Sequence, residues 1–482
     1  MSKQKKEKSP SHVGLGKLLL WNSRMVSISV MNLAITGYIL LYCTSVLGLS
    51  ATVVSMMLVI GKVVDAVTDS MAGIIVDKTK TRWGKARPYE IFIVLAWLCT
   101  WLMYSTPVGF SNILKYVWVF LTYTMANSIC YTFLNANALP YTVRVFTQEQ
   151  IVPVTSYGSV ITMLGAAIFN IFGPSLFENA LKSAGACSRL VGCLAIAMAV
   201  IGILRMIFIP ETIDVDSGAE VKSDDIKISD LFTLIKNNKY VVTLFIMGLV
   251  FNFVTAFGVG TYYYTYVVGS LSLAGIASAA QMLAIPLAFV FPQLLKKMNV
   301  AKLMMLGFFV SSFGYLLNFV AGTNIVLLAI AAIFWGCGTI PASMLPAIAF
   351  VECADYNEYN HRPRMEGSMS SLNGLMSKVG NAVGTGLMGI VLDVSGVSAA
   401  SAAVSAGTLA VMPGAQQWVL RLMFSLIPMV LYIIVGLTLV RYDLPKILPG
   451  IRAELEVRHA AAAEGATAEG AAVETADVSS DE

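Results

Sequence analysis

Apolar runs of about twenty residues, separated by short polar breaks, recur along this chain from near residue 24 to about residue 440. Residues are 57% hydrophobic and 12% charged over 482 positions, too little charge to cover a water-exposed surface of that size. The apolar excess is therefore many membrane spans rather than one core. Inside a bilayer the backbone must satisfy its own hydrogen bonds, and helices do so within a single segment. The sequence predicts an all-α membrane protein. Its net charge of +4 is small and its cations sit in particular loops, which argues for membrane orientation and against nucleic-acid binding.

In chain order, the first six spans fall at about 24–43, 51–76, 89–106, 113–139, 153–176 and 190–209. Six more fall at about 240–268, 272–295, 301–321, 325–350, 367–393 and 418–440. The expected organisation is a basic arm (1–20), an N-terminal six-helix half (21–209), a charged linker (210–239), a C-terminal six-helix half (240–440) and a tail (441–482), disordered from about 459. Leu231, Leu234 and Ile235 recur at helical spacing, so the linker is expected to hold a short surface helix. Lys78, Lys80, Arg82, Lys85 and Arg87, then Arg144, Lys296, Lys297, Lys302, His361, Arg362, Arg364, Arg441, Lys446 and Arg452 all fall on one side of this layout. Cytoplasmic loops carry such an excess, so twelve spans with both termini cytoplasmic are expected. Arg205 is close enough to that side to snorkel. The basic N-terminus leads into a long apolar run with no small-residue cleavage site, which reads as a retained first span. The seven cysteines form no metal spacing, and a Cys187–Cys193 disulfide is disfavoured because nothing else resembles a disulfide scaffold.

The stretch Gly61–Pro88, GKVVDAVTDSMAGIIVDKTKTRWGKARP, departs from the apolar pattern. Spacings of three and four residues put Lys62, Asp65 and Asp69 on one helix face. A carboxylate at membrane depth costs on the order of 2.5–3.5 kcal/mol unless paired or hydrated. Two of them one turn apart repel unless they share a cation, and with a hydroxyl they suit Na⁺ or H⁺. The alternative is a structural salt bridge with Lys62, and the two readings are compatible. Lys378, in NGLMSKVGNAVGTG, lies deep in the eleventh span and needs an anionic partner; the span-two carboxylates are the candidates, against a lysine snorkelling to the surface. Thr132, Asn135 and Asn137 in CYTFLNANALPY suit either a pocket wall or interhelical hydrogen bonds. Tyr262, Tyr263, Tyr264 and Tyr266 could stack on a sugar ring, but their place at a span end favours an interfacial belt, and Trp21 and Trp418 read as interfacial anchors. The three histidines fall outside the spans, no Ser-His-Asp set can be assembled in the membrane, and no P-loop pattern appears, so enzyme and ATP-driven pump are weak readings. Six spans, a charged linker and six spans outline a two-half transporter with its solute site near the midplane.

DAVTDSMAGIIVDKTKTRWGKARP closely resembles the span-two and loop signature of the glycoside–pentoside–hexuronide:cation symporters, the melibiose permease type, within the major facilitator superfamily. TSVLGLS, CYTFLN, YYYTYVVG and ADYNEYNHRPRMEG agree with that family in the same order, and the resemblance covers most of residues 24–440. It implies that Asp65 and Asp69 bind the coupling cation, with Na⁺ possible there and help from Thr132, and that Lys62 and Lys378 are charge partners. It also implies a cytoplasmic loop motif through Asp77, Arg82, Gly84, Lys85 and Arg87, and a multi-pass place in the cell inner membrane.

The sugar side departs from the family pattern. A span-one aspartate of melibiose-type members matches Ser29, with Asn32 the nearest amide; a span-four aspartate matches Asn135; and Ile151 to Phe172 holds no basic residue where those members carry an arginine. Lost bidentate contacts put galactosides in doubt and favour another glycoside, a pentoside or a more apolar conjugate; an anionic hexuronide would depend on Lys62 or Lys378. The expected function is cation-coupled symport (Na⁺ or H⁺) of a sugar or glycoside by a monomer, without a cofactor, with Ser29, Asn32, Asn135 and Asn137 as pocket residues. Two alternatives stay open: a carrier of amphiphiles such as lysolipids or steroid conjugates, and a solute receptor that does not transport.

Overall fold

The computed structural model describes residues 13–79, 81–213, 238–360 and 366–458, and every element named among them is helical. Among the described residues, ten helices are long and apolar enough to cross a membrane. In chain order the helices are α1 (Leu15–Val46), α2 (Ala51–Lys78), α3 (Phe92–Tyr104), α4 (Asn112–Val145), α5 (Gln148–Ala180), α6 (Ala184–Phe208), α7 (Lys239–Val268), α8 (Leu273–Met282), α9 (Leu287–Leu294), α10 (Val300–Ala321), α11 (Ile325–Tyr359), α12 (Glu366–Val394), α13 (Val397–Ser405) and α14 (Gly414–Val440). The polar breaks start them. Ser50, Ser111, Ser183, Asn238, Asn299 and Asn324 each accept a backbone N–H of the first turn that would otherwise go unpaired. Ile113, Ile196, Val320 and Val326 are all more than 60% exposed, an apolar outer surface that water would not tolerate in such quantity but lipid does.

Two expected spans are shorter than the sequence implies. The third contains only thirteen α-helical residues in α3, entered through a 3₁₀ turn at Arg87–Ile91. The eighth is split into α8 and α9 at Pro286, where Leu283, Ala284, Ile285 and Leu287 close tight turns onto the residues three before them. The linker segment 214–237 with its expected surface helix, the basic residues His361, Arg362 and Arg364, and the tail from 459 lie outside the described residues. Residues 444–458, the part of the expected tail before its disordered stretch, form a helix. Leu444, Leu448, Ile451 and Leu455 are buried at helical spacing, and Arg452 pairs with Asp355 of α11 at 2.9 Å.

Helix α1 packs on α5 and α6, α3 on α6, and α2 on α4. In the second group α7 packs on α12, α10 on α11 and α14, and α8 on α11. The groups join where α2 meets α12 and α5 meets α8. Small residues permit the closest crossings. A Cβ built on Gly338 of α11 would strike Gly307 and Ser311 of α10, and one on Gly307 would lie 2.6 Å from the Gly338 carbonyl. Gly338→Val should therefore force α10 and α11 apart and cost about 1–3 kcal/mol. A lowered midpoint of thermal unfolding in detergent is the expected reading.

Candidate functional site

Helices α1, α2, α4, α7 and α12 surround a cavity of about 720 Å³ between the two groups. Asp65 and Asp69 are one turn apart on α2, and the Nζ of Lys378 on α12 lies 2.6 Å from Asp69 and 3.9 Å from Asp65. Thr132, 1% exposed on α4, donates its hydroxyl to Asp65 Oδ1 at 2.8 Å. Lys62 donates to Thr385 of α12 at 3.3 Å. Two carboxylates and two ammonium groups thus balance in charge across the α2–α12 seam. The oxygen atoms of Asp65, Asp69 and Thr132 are donors that suit a small hard cation or a proton.

The helix α4 holds this face in place. Ser128 donates to the Gly61 carbonyl at 2.7 Å and Thr68 donates to the Ser128 carbonyl at 2.5 Å, locking α2 against α4 on both sides of Asp65. Residues Thr124–Tyr131 of α4 take a wide π-helical turn, a feature frequent at functional sites, which rotates everything after it relative to a 3.6-residue period. The consequence is visible in the polar residues. Tyr123, Asn127 and Tyr131, four residues apart, line the cavity. Asn135 is exposed and Asn137 is buried; neither is among the residues lining this cavity. Of the two readings open for these residues, pocket wall or interhelical hydrogen bond, Asn137 makes the second, to Glu90. Asn32 lines the cavity together with Thr36, whereas Ser29, one turn earlier on α1, is half-buried and not among the lining residues. On α12, Lys378, Asn381 and Thr385 form one polar stripe. Spacings of three and four residues would have revealed that stripe from sequence, had Lys378 not been read alone.

Asn137 belongs to a second, fully buried cluster. Its amide donates to Glu90 at 2.9 Å, and Glu90 also faces Arg24 and Arg205 at 3.5 Å each. Arg24 donates to the Leu134 carbonyl at 2.5 Å, and the Arg205 guanidinium lies 3.5 Å over the Trp21 ring and 4.4 Å over Tyr141. Arg205 therefore does not snorkel, and Trp21 is a packing residue, not an interfacial anchor. The tyrosine run is likewise internal: Tyr262 and Tyr266 bond to Thr44 and Ser45 of α1 at 2.6 and 2.7 Å, and Tyr263 donates to the Gly322 carbonyl at 2.5 Å. A belt would leave those rings at the surface, yet all four are under 9% exposed.

The basic loop after α2 is folded around a carboxylate from a distant part of the chain. Glu211 accepts the backbone N–H groups of Lys85, Ala86 and Arg87 at 3.1, 2.8 and 2.7 Å. Gly84 has φ +111°, a conformation other residues resist, and a Cβ there would strike the Glu211 carboxylate. Successive N–H groups turned inward make an anion-binding nest, here filled by the protein itself. Arg87 donates to the Met206 and Ile207 carbonyls at 2.7 and 3.1 Å, closing the end of α6, and Arg82 lies over the Trp83 ring at 5.7 Å. The Asp77 side chain lies outside the described residues. Glu211 escaped the sequence reading because it sits past α6, in what looks like linker.

A family model described as MFS/sugar transport protein matches residues 22–446. An isoprimeverose transporter of Lactiplantibacillus pentosus is 26% identical over 441 residues, covering 88% of each chain. A glucuronide carrier protein homolog of Escherichia coli (strain K12) is 25% identical, covering 74% of this chain and 79% of its own. Among solved structures, a bacterial homolog of the human lysosomal transporter Spinster, inward-facing and occupied, aligns with a TM-score of 0.62 at 13% identity, over 89% of this chain and 96% of that one. A variant of the nucleoside transporter NupG aligns with a TM-score of 0.58 at 15% identity, over 88% and 99%. At such identities the structural likeness speaks to the fold alone.

Proposed function

Because the chain belongs to the MFS/sugar transport family, a family of multi-pass membrane transporters and not of enzymes, we propose that it carries a sugar or glycoside into the cell together with Na⁺ or H⁺, by alternating access. The observation that carries this reading is Lys378 of α12 seated on the two α2 carboxylates at the cavity between the helix groups. Intramembrane charges are costly and mark ion pathways. Here they straddle the seam along which two rocking halves would move.

In this reading Asp65 and Asp69 bind the coupling cation and Thr132 orients Asp65. Lys378 stands in for the cation when none is bound. A cation arriving between the carboxylates displaces the ammonium and removes one tie between α2 and α12, which links ion occupancy to the contact between the halves. Lys62, held by Thr385, keeps the loaded site from becoming too positive by remaining at a distance from the ion. The solute occupies the cavity, whose hydrogen-bonding groups include Asn32, Asn127, Tyr131 and Asn381. A volume of about 720 Å³ suits a glycoside of two rings. Relatives named for isoprimeverose and glucuronide support that size class.

In this reading the ten long helices count as ten crossings of the cell inner membrane, and α3 and the α8–α9 pair as two more, which is twelve. Arg82, Lys85 and Arg87 put the loop after α2 in the cytoplasm, and the start of α2 then faces outward. The test is uptake into sealed vesicles containing the purified protein, with labelled glycosides, pentoses and uronides under imposed Na⁺ and H⁺ gradients in turn. One solute should accumulate under one gradient and not without it. If folded protein moves no sugar under either gradient, the proposal fails; competition by lysolipids would redirect it to amphiphiles.

A further inference from the structure

The contacts joining the two halves at the outer end form a repeated pattern. Asp393, the second-last residue of α12, reaches across the seam to the N-terminus of α2. It accepts the Ser50 hydroxyl and the backbone N–H groups of Ala51 and Thr52, the latter two at 3.0 and 2.7 Å. Glu178, near the end of α5, does the same to α8: it accepts the Ser270 hydroxyl at 2.8 Å and the Ser272 N–H at 3.2 Å. Ser272 is the residue immediately before α8 begins. In a chain of two related six-span halves, the fifth and eleventh spans correspond, as do the second and eighth. The two carboxylates are therefore one device used twice, each crossing from one half to the other.

The placement is unfavourable within each carboxylate's own helix. Asp393 and Glu178 lie in the last turn, where the helix dipole is negative and repels an anion. Their stabilisation comes from the opposite half, where the first N–H groups of α2 and α8 lack partners and the dipole is positive. If the halves part at this end, water can solvate the carboxylates and the freed N–H groups, so little is lost and the contact is reversible. We propose that Asp393 and Glu178 are paired outer gate clasps, which hold the carrier closed to the outside and set the balance between its outward- and inward-open states. This rests on the alternating-access reading for its consequence in transport, but the closure itself can be measured without any solute or ion gradient.

The experiment is labelling of a cysteine placed in the cavity wall, at Gly37, by a membrane-impermeant maleimide applied to either face of sealed membranes. The background has its accessible native cysteines replaced. Asp393→Asn and Glu178→Gln should each raise the labelling rate from the outer face about fivefold, the worth of one cap of about 1 kcal/mol. The two together should multiply, and labelling from the cytoplasmic face should fall in step. Ser270→Ala, which removes the hydroxyl donor to Glu178, and Ser50→Ala, which removes the donor to Asp393 together with the α2 N-cap, should show smaller shifts in the same direction and cover the case in which a carboxylate variant fails to fold. Unchanged outer labelling in the folded double variant, or in both serine variants should the double not fold, overturns the proposal. Clasp behaviour without sugar uptake would leave the gate standing and refute only the assigned solute.

Discussion

Asp65→Asn and Asp69→Asn are each expected to abolish gradient-driven accumulation of the solute while leaving the protein folded. Each removes one of the two anionic groups at a site whose remaining donors are neutral oxygen atoms. Losing a charged partner of this kind is worth roughly 2–3 kcal/mol, so cation affinity should fall about 100-fold. Exchange of solute across the membrane without a gradient should survive, because no cavity hydrogen bond to the solute is removed. That split separates a coupling role from a structural one. Lys378→Met refines the test. If its ammonium competes with the cation, removing it should tighten cation binding by about tenfold while slowing net uptake, because the empty carrier would then have to reorient with an unbalanced carboxylate. Undiminished accumulation in both aspartate variants would sink the coupling assignment.

Glu90→Ala should produce the largest loss of stability of any single substitution considered. Glu90 is 0% exposed and its carboxylate faces two guanidinium groups, Arg24 and Arg205, that are 1% and 2% exposed. Removing one partner of a buried ion pair typically costs about 3–5 kcal/mol, mainly because the other charge is stranded. Here two charges are stranded, although the Trp21 and Tyr141 rings retain part of the stabilisation of Arg205. The expected outcome is poor recovery of monodisperse protein and a large drop in the thermal midpoint in detergent. Arg24→Met combined with Glu90→Gln should recover much of the loss, since it removes both an anion and one of its cations. A Glu90→Ala protein that melts like the parent would show that the cluster contributes little.

The α2 charge cluster was more legible in the sequence than the cavity lining, and particular residues show why. Lys62, Asp65 and Asp69 lie within two turns of one helix, so their common face follows from a 3.6-residue period. Asn135 and Asn137 looked equally persuasive, but two positions apart on a helix they point different ways, Asn135 being exposed and Asn137 buried against Glu90. Which of the two faces meets the cavity, and at what depth, is set by neighbouring helices and not by the period. The helix at 444–458, in contrast, was visible in the spacing of Leu444, Leu448, Ile451 and Leu455 and was overlooked beneath the polar composition around it.

What the sequence determined by itself is what depends on neighbours along the chain: apolar runs that must become helices in lipid, serine and asparagine caps that start them, and charges that share a helix face. Tertiary structure alone decided which of those faces meet. Lys378 reaches Asp69 across more than three hundred residues, Glu211 fills the nest of a loop well over a hundred residues earlier, and Asp393 caps a helix from the other half. The physical reason is that hydrocarbon rewards any helix that buries its polar groups, without specifying the partner. Partners are chosen by interhelical packing, by wide turns that rotate a face, and by the unpaired N–H groups at helix ends, and these come into register only once the whole bundle is assembled.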